Sequence, residues 1–128
     1  MAKPAVIVVG ADKGGVGKTT VSRTLLDYFS ANNVPIRAFD TEAPRGTLKR
    51  FHPDVTEIVD VTQTADQMKI FDTLNTAAAS VTVIDVRAGL LSPTLIALRD
   101  IGFLDAAKAG QITFAVFHPR PVDRLARR

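Results

Sequence analysis

The sequence predicts an α/β fold, a mostly parallel sheet of about five strands with helices on both faces. Two observations support this prediction. The runs "AVIVV" and "VTVID" are almost continuously apolar, which is typical of strands that are covered on both faces. Helical patterns separate the apolar runs, and regular alternation of strand and helix favours right-handed crossovers in a parallel sheet.

The predicted strands are short apolar runs bounded by polar or turn-forming residues. Four of them are clear, and the one at residues 57–61 is weaker. In chain order they cover residues 5–9, 34–39, 57–61, 81–86 and 112–117.

The first two helices are predicted from apolar spacing. Val21, Leu25 and Phe29 recur every four residues, which places them on one helix face. Residues 64–67 have the spacing of a capping box, and apolar residues follow at helical intervals up to Ala78.

Two more helices are predicted from their ends. Ser92 is expected to be an N-cap with Pro93 at the first helical position. A short helix over residues 103–109 is expected to end at Gly110. Residues 43–56 are polar and interrupted by prolines and a glycine, so they are predicted to form the main loop.

Composition limits the possible chemistry. The 128 residues suit one domain, with 46% apolar and 23% charged residues. There are no cysteines, which excludes disulfides, thiolate nucleophiles and zinc–sulfur sites and suits a reducing cytoplasm. The net charge of +3 is compatible with an anionic ligand and is too small to argue for DNA binding alone. We find no targeting segment and no apolar stretch long enough for a transmembrane segment, so a cytoplasmic location is expected.

A glycine- and lysine-rich segment, "KGGVGKTT" at residues 13–20, follows the first predicted strand and precedes the first helix. Glycines allow the backbone to curl so that several N–H groups point at one phosphate. The N-terminus of the following helix adds further donors and a positive dipole end. The lysine of a G-K-[ST] sequence, Lys18, can reach the β- and γ-phosphates, and the Thr19 hydroxyl can bind Mg²⁺.

The segment departs from the strict pattern G-x-x-x-x-G-K-[ST], because Asp12 stands where the first glycine belongs. It resembles the deviant Walker A motif of the ParA/MinD/ArsA-type P-loop ATPases. The resemblance implies a P-loop NTPase fold in residues 1–118, with ATP and Mg²⁺ as cofactors. It also implies a nucleotide-dependent homodimer in which Lys13 reaches the partner's phosphates. The implied nucleotide-binding residues are Gly14, Gly15, Val16, Gly17, Lys18, Thr19 and Thr20.

Two acidic positions follow predicted strands. Asp85 ends "VTVID", which has the form of a Walker B strand, and is predicted to bind Mg²⁺ through water together with Thr19. "DTEAP" at residues 40–44 resembles the family's second acidic motif, Asp-x-Asp-Pro, with Asp40 and Glu42 on its two acids. The resemblance implies that the second acid positions the attacking water. Glu42 is one methylene longer than aspartate, so it is expected to align water poorly and to impair hydrolysis more than binding. A solvated loop acid is the alternative.

Other residues leave alternatives open. Arg87 stands where the family often has proline; a surface cation is favoured over a contact with the γ-phosphate or the dimer partner. His52 and His118 are expected in loops or at the surface rather than as metal ligands, and the phenylalanines are expected in the core. The basic segment 119–128 is interpreted as a tail, solvated or in contact with nucleic acid or acidic lipid. Its arginines are Arg120, Arg124, Arg127 and Arg128.

The resemblance runs from about residue 5 to residue 117 and is strongest at 10–20. Family members usually continue with further strands and helices, so the chain is expected to be truncated at its C-terminal side or a minimal member. An open sheet edge would then favour self-association.

The catalytic candidates are Lys13, Lys18, Asp40 and Glu42. The leading hypothesis is a slowly hydrolysing Mg²⁺–ATP switch in plasmid or chromosome partition, conjugation or positioning, acting on a partner protein or non-specific DNA. The alternatives are an ATP-dependent ligase of the dethiobiotin-synthetase/cobyrinic-amidase group and a non-hydrolysing nucleotide-dependent adaptor.

Overall fold

The computed structural model describes residues 4–10, 18–41, 47–75, 80–87, 89–100 and 102–117. These residues form an α/β fold with a five-stranded sheet whose strand pairs are all parallel. The predicted fold class is therefore confirmed at this level. Among the described helices, none combines the length and apolar character that crossing a membrane requires.

The five predicted strands are all present, with ends shifted by up to three residues. The strands are β1 (Ala5–Val9), β2 (Ile36–Asp40), β3 (Thr56–Ile58), β4 (Val81–Asp85) and β5 (Thr113–Phe117). The helices are α1 (Lys18–Ala31), α2 (Thr47–Phe51), α3 (Thr64–Asn75), α4 (Leu91–Asp100) and α5 (Phe103–Lys108).

The spatial order of the strands is β3-β2-β4-β1-β5. Strand β4 is central and all five of its residues are buried, which explains why its sequence does not alternate. On one face, the core side chains of β1 and β4 (Val6, Val8, Ile84) pack with α3, α4 and α5. On the other face, the alternate residues Val9 and Val83 pack with α1 and α2.

The chain leaves the neighbouring strands β1 and β4 toward opposite faces of the sheet. Strand β1 leads to α1, whose Leu26 belongs to one core, and β4 leads to α4, whose Leu98 belongs to the other. The carboxyl ends of β1 and β4 therefore form a topological switch point. In open parallel sheets, ligands bind in the crevice at such a point.

Helix α2 corrects the prediction of a loop over residues 43–56. A carboxylate oxygen of Asp40 accepts hydrogen bonds from the backbone N–H of Leu48 at 2.9 Å and of Lys49 at 3.4 Å. The Leu48 side chain is completely buried against the sheet. Helix α2 has only five residues, and it is held by the Asp40 cap from the end of β2 and by the buried Leu48. Local sequence does not predict such a helix.

The predicted helix ends meet different outcomes. Helix α4 begins at Leu91, so Ser92 and Pro93 lie inside its first turn and the prediction of Ser92 as N-cap is wrong. The carbonyl of Leu90 accepts the Thr94 N–H at 3.0 Å instead. Helix α5 ends before Gly110, whose φ of 77° is the left-handed conformation that favours glycine, and this prediction is confirmed.

Apolar surface lies open along the described edge strand β5. Val116 and Phe117 are 42% and 43% exposed, and Phe51 at the end of α2 is 49% exposed. The expectation that the phenylalanines lie in the core is therefore wrong for Phe51 and Phe117, whereas Phe39 is fully buried. Self-association through the exposed edge of β5 stays a prediction.

Candidate functional site

The glycine- and lysine-rich segment connects β1 to α1. Residues 11–17, including Lys13 and Gly14, Gly15, Val16 and Gly17, lie outside the described residues. Helix α1 begins at Lys18, so Lys18, Thr19 and Thr20 form its first turn. The segment therefore has the flanking strand and helix that phosphate binding requires, and the 14-residue helix α1 has free N–H groups at its N-terminus that could bind an anion.

Asp85 lies at the centre of the carboxyl edge of the sheet. It is the last residue of β4, where it is in register with Val9 of β1 and Asp40 of β2. Only 1% of its surface is exposed. Asp85 follows Val81 and Val83 in the alternation of β4, so its side chain projects on the face covered by α1.

A hydroxyl from α1 contacts the Asp85 carboxylate. The Ser22 Oγ donates a hydrogen bond to Asp85 Oδ1 at 2.9 Å, and Ser22 is completely buried. A buried carboxylate is costly unless hydrogen bonds replace its hydration, and a hydroxyl donor to an ionised acceptor is one of the stronger kinds. The bond therefore fixes one carboxylate oxygen relative to the first turns of α1.

Asp40 is the second buried acid at this edge, with 0% of its surface exposed. It ends β2 beside Asp85, on a strand about 4.8 Å away. Its carboxylate accepts the Leu48 N–H of α2, as described above. The two acids project on the same face, because residues in register on parallel strands do so.

Thr41 joins the segments that leave β2 and β4. Its hydroxyl donates to the Asp85 carbonyl at 3.2 Å and accepts the Arg87 N–H at 2.8 Å. The Thr41 N–H also donates to the Asp85 carbonyl, at 3.0 Å. With 5% of its surface exposed, Thr41 holds the chain after Asp85 close to the chain after Asp40.

The sequence leaves the roles of two further residues, Glu42 and Arg87, open. Glu42, the predicted water-positioning acid, lies outside the described residues. Arg87 is exposed, and its backbone N–H is the group that contacts Thr41. The exposure of Arg87 fits the favoured interpretation of a surface cation, and a contact with the γ-phosphate or with the dimer partner stays a prediction.

Helices α1 and α2 also contact each other away from the carboxylates. The His52 Nε2 lies 2.9 Å from Asp27 Oδ1, and the Arg23 guanidinium lies 3.6 Å from the centre of the Phe51 ring. His52 thus follows α2 as a packing residue that is paired with an acid. His118 lies outside the described residues.

The donor set suits a magnesium ion only in part. Magnesium prefers oxygen ligands and is usually held by one or two carboxylates together with water and substrate phosphates. Asp85 and Asp40 supply such carboxylates. Within the described ranges, no group of three or more His, Cys, Asp or Glu side chains could hold a metal ion by itself. The residues therefore fit a magnesium ion that shares its ligands with a bound phosphate, rather than a metal held by protein side chains alone.

A groove of about 450 Å³ lies on the other face of the sheet, between α3 and α4. Its lining is largely apolar and includes Val61, Ile96 and one carboxylate, Asp100. Neither Asp40 nor Asp85 lines it. The groove is therefore separate from the carboxyl-edge site.

Sequence reasoning missed Ser22 and Thr41. Ser22 could have been found, because it interrupts the apolar stripe of α1 between Val21 and Leu25 and is therefore a polar residue on a buried helix face. Thr41 carries no comparable signal, since its role depends on β4 lying beside β2.

The chain matches neither a protein-family model nor a curated protein sequence.

Proposed function

We propose that the chain is a Mg²⁺–ATP-binding switch protein of the ParA/MinD type with a P-loop NTPase fold. One observation carries the proposal: the buried acids Asp40 and Asp85 lie in register at the carboxyl edge of the sheet, with Asp85 at the switch point and hydrogen-bonded to Ser22 of α1. Two buried carboxylates side by side repel each other and attract a cation. The helix start that follows a glycine- and lysine-rich segment attracts a phosphate.

In this proposal the phosphates bind to residues 14–20, and Lys18 contacts the β- and γ-phosphates. Thr19 and, through water, Asp85 would hold the metal. When bound, Mg²⁺ would supply positive charge that neutralises the charge developing on the phosphates. Asp40 and Glu42 lie near the attacking water, and Lys13 reaches the nucleotide of the second subunit in a homodimer.

The cellular role that follows is positioning rather than the synthesis of a product. The homodimer would form with ATP and would act on a partner protein or on non-specific DNA, in partition or conjugation. Cytoplasmic location belongs to the same proposal.

Nucleotide binding by the full chain provides the test. ATP binding is measured by calorimetry with and without Mg²⁺, with GTP in a parallel titration, for the wild type, Lys18→Ala and Lys13→Ala. Lys108→Ala is the matched control, because Lys108 is exposed on α5. We expect Lys18→Ala to abolish binding and Lys108→Ala to leave it unchanged. Wild-type affinity in Lys18→Ala would refute the phosphate site.

Dimerisation is measured on the same proteins by analytical ultracentrifugation. We expect Lys13→Ala to bind ATP and to lose ATP-dependent dimerisation. Normal dimerisation of Lys13→Ala with ATP would refute the proposed contact of Lys13 across the dimer.

ATP turnover is measured for the wild type and Glu42→Ala. Turnover that Glu42→Ala does not change would exclude Glu42 from catalysis.

A non-hydrolysing adaptor is the second candidate, and the position of Asp40 favours it. One Asp40 oxygen already accepts the Leu48 N–H at 2.9 Å, so this carboxylate holds α2 in place and is constrained in how it can align water. The adaptor would bind ATP and dimerise without consuming ATP. Phosphate release above background in the wild type, lost in Lys18→Ala, would exclude the adaptor.

ATP turnover that rises when a small-molecule acid is added would instead favour the ligase group.

A further inference from the structure

We propose that Ser22 is a positioning residue for magnesium, because it orients the Asp85 carboxylate toward the metal. This inference rests on the proposed function, since it requires Mg²⁺ to bind with the nucleotide beside Asp85. The direct observation is the buried hydrogen bond of 2.9 Å from Ser22 Oγ to Asp85 Oδ1.

The position of Ser22 on α1 links the proposed phosphate-binding turn of this helix to Asp85. Ser22 lies four residues after Lys18, about one helical turn into α1, and so on the same side of the helix as Lys18. The N-terminal turn of α1 holds the phosphates in the proposed function. A bond from the next turn to Asp85 therefore sets the distance between the phosphate-binding turn and the metal-binding carboxylate.

Burial makes the Ser22 hydroxyl difficult to replace as the hydrogen-bond donor to Asp85. Both residues are at most 1% exposed, so water has little access to replace the hydroxyl when it is removed. Because the last torsion of aspartate is broad, loss of the Ser22 donor removes one restraint on the orientation of the Asp85 carboxylate. Removal of the hydrogen-bond partner of a direct metal ligand costs about 10- to 100-fold in metal affinity in other proteins. Because Asp85 would contact the metal through water, the lower end of that range applies to Ser22.

The test compares Ser22→Ala, Ser22→Cys and Ser22→Thr with the wild type. Alanine removes the donor, and cysteine keeps the approximate shape with only a weak donor. Threonine restores the hydroxyl. Thr82→Val is the control, because Thr82 is also 1% exposed on β4 but follows the alternation of Ile84, on the opposite face. Among the described residues, its hydroxyl has no hydrogen-bond partner.

Two quantities are measured for each folded variant. The first is ATP affinity in the presence of a chelator. The second is the affinity of the ATP complex for Mn²⁺ as a spectroscopic substitute for Mg²⁺, read by electron paramagnetic resonance. We expect Ser22→Ala and Ser22→Cys to keep the metal-free ATP affinity and to lose about 10-fold in Mn²⁺ affinity. We expect Ser22→Thr and Thr82→Val to resemble the wild type.

The outcomes separate this inference from the proposed function. Wild-type Mn²⁺ affinity in a folded Ser22→Ala or Ser22→Cys variant would overturn the role of Ser22 and leave ATP binding intact. An equal loss in Thr82→Val would also overturn it, since general disturbance of the core would then explain the result. A wild-type chain that binds ATP with no effect of metal would refute the magnesium site and this inference with it.

Discussion

Thr41 provides a sharp test of how the two acidic strand ends are held together. Replacement by valine keeps the size and branching of the side chain and removes only its hydroxyl. Two hydrogen bonds disappear, one to the Asp85 carbonyl at 3.2 Å and one from the Arg87 N–H at 2.8 Å. Because valine fills the same space, the free energy of unfolding reports the hydroxyl rather than a cavity.

The two bonds differ in what their loss costs. The Asp85 carbonyl keeps the Thr41 N–H as a donor at 3.0 Å, so the first loss costs about 0.5 kcal/mol, the low end for one hydrogen bond. The Arg87 N–H loses its hydroxyl acceptor, and an unsatisfied buried donor costs about 1–3 kcal/mol. Since Arg87 is exposed, water can reach this region and the lower part of that range applies. The sum is about 2 kcal/mol.

The buried methyl group of valine offsets part of this loss, by at most about 0.8 kcal/mol. We therefore expect Thr41→Val to lower the free energy of unfolding by about 1–2 kcal/mol. With a urea dependence of about 2 kcal/mol per M, the midpoint falls by about 0.5–1 M. The assay is equilibrium unfolding in urea followed by circular dichroism, with the slope compared between proteins.

Thr41→Ser is the matched control. Serine keeps the hydroxyl and loses a methyl group, which costs about 0.8 kcal/mol. We expect the order of stability to be wild type, then Thr41→Ser, then Thr41→Val. If Thr41→Val is as stable as Thr41→Ser, or more stable, the hydroxyl does not hold the two strand ends together and the reasoning is refuted.

Two further predictions concern other contacts. A Cβ added at Gly10 would lie 2.6 Å from Leu91 Cδ1, so Gly10→Ala should lower the free energy of unfolding by about 1–3 kcal/mol. Combined with Leu91→Ala it should cost less than the sum of the two single changes, and strict additivity in urea unfolding would contradict the contact. Hydrogen bonds from the Thr62 hydroxyl and N–H lower the pKa of Asp60 from its ordinary value of 3.8, so their stabilisation is present above 3.8 and is lost as pH falls through the lowered pKa. Thr62→Val should raise the pKa of Asp60 in an NMR titration and reduce stability near neutral pH but not in strong acid; an unchanged pKa would exclude the hydroxyl as its cause.

The sheet could be predicted from the sequence because its strands are buried on both faces. Val81 to Asp85 shows this most clearly, since each of its five residues is buried and the run is too short for a helix of ordinary length. The ends of the elements are predicted less accurately. Ser92 is an example: Pro93 is expected at the first helical position, but proline is tolerated elsewhere in the first turn of a helix, and α4 begins at Leu91. Helix α2 was missed because its cap comes from Asp40, which precedes Leu48 by eight residues.

The two acids of the site could be selected from the sequence, but their relation could not. Asp40 and Asp85 each end an apolar run, and that pattern is local. Their positions in register on neighbouring strands depend on β4 inserting between β2 and β1, although β1 and β2 are consecutive in the chain. Local sequence does not specify the order of strands, so Thr41 and its partners became visible only in the folded structure.

The hydrogen bonds of the two acids link the site to the stability of the fold. Asp40 holds the start of α2, and Asp85 is held by Ser22 of α1. Contacts between α1 and α2 then close a ring that runs from β2 through both helices to β4. A change at either acid therefore alters helix packing as well as ligand chemistry, and a loss of ATP or metal binding in such a variant has two possible causes. Variants of Ser22 separate them better than variants of the acids do, because both carboxyl groups are retained while one hydrogen-bond donor is removed. The pairs that close the ring are His52 with Asp27 and Arg23 with Phe51.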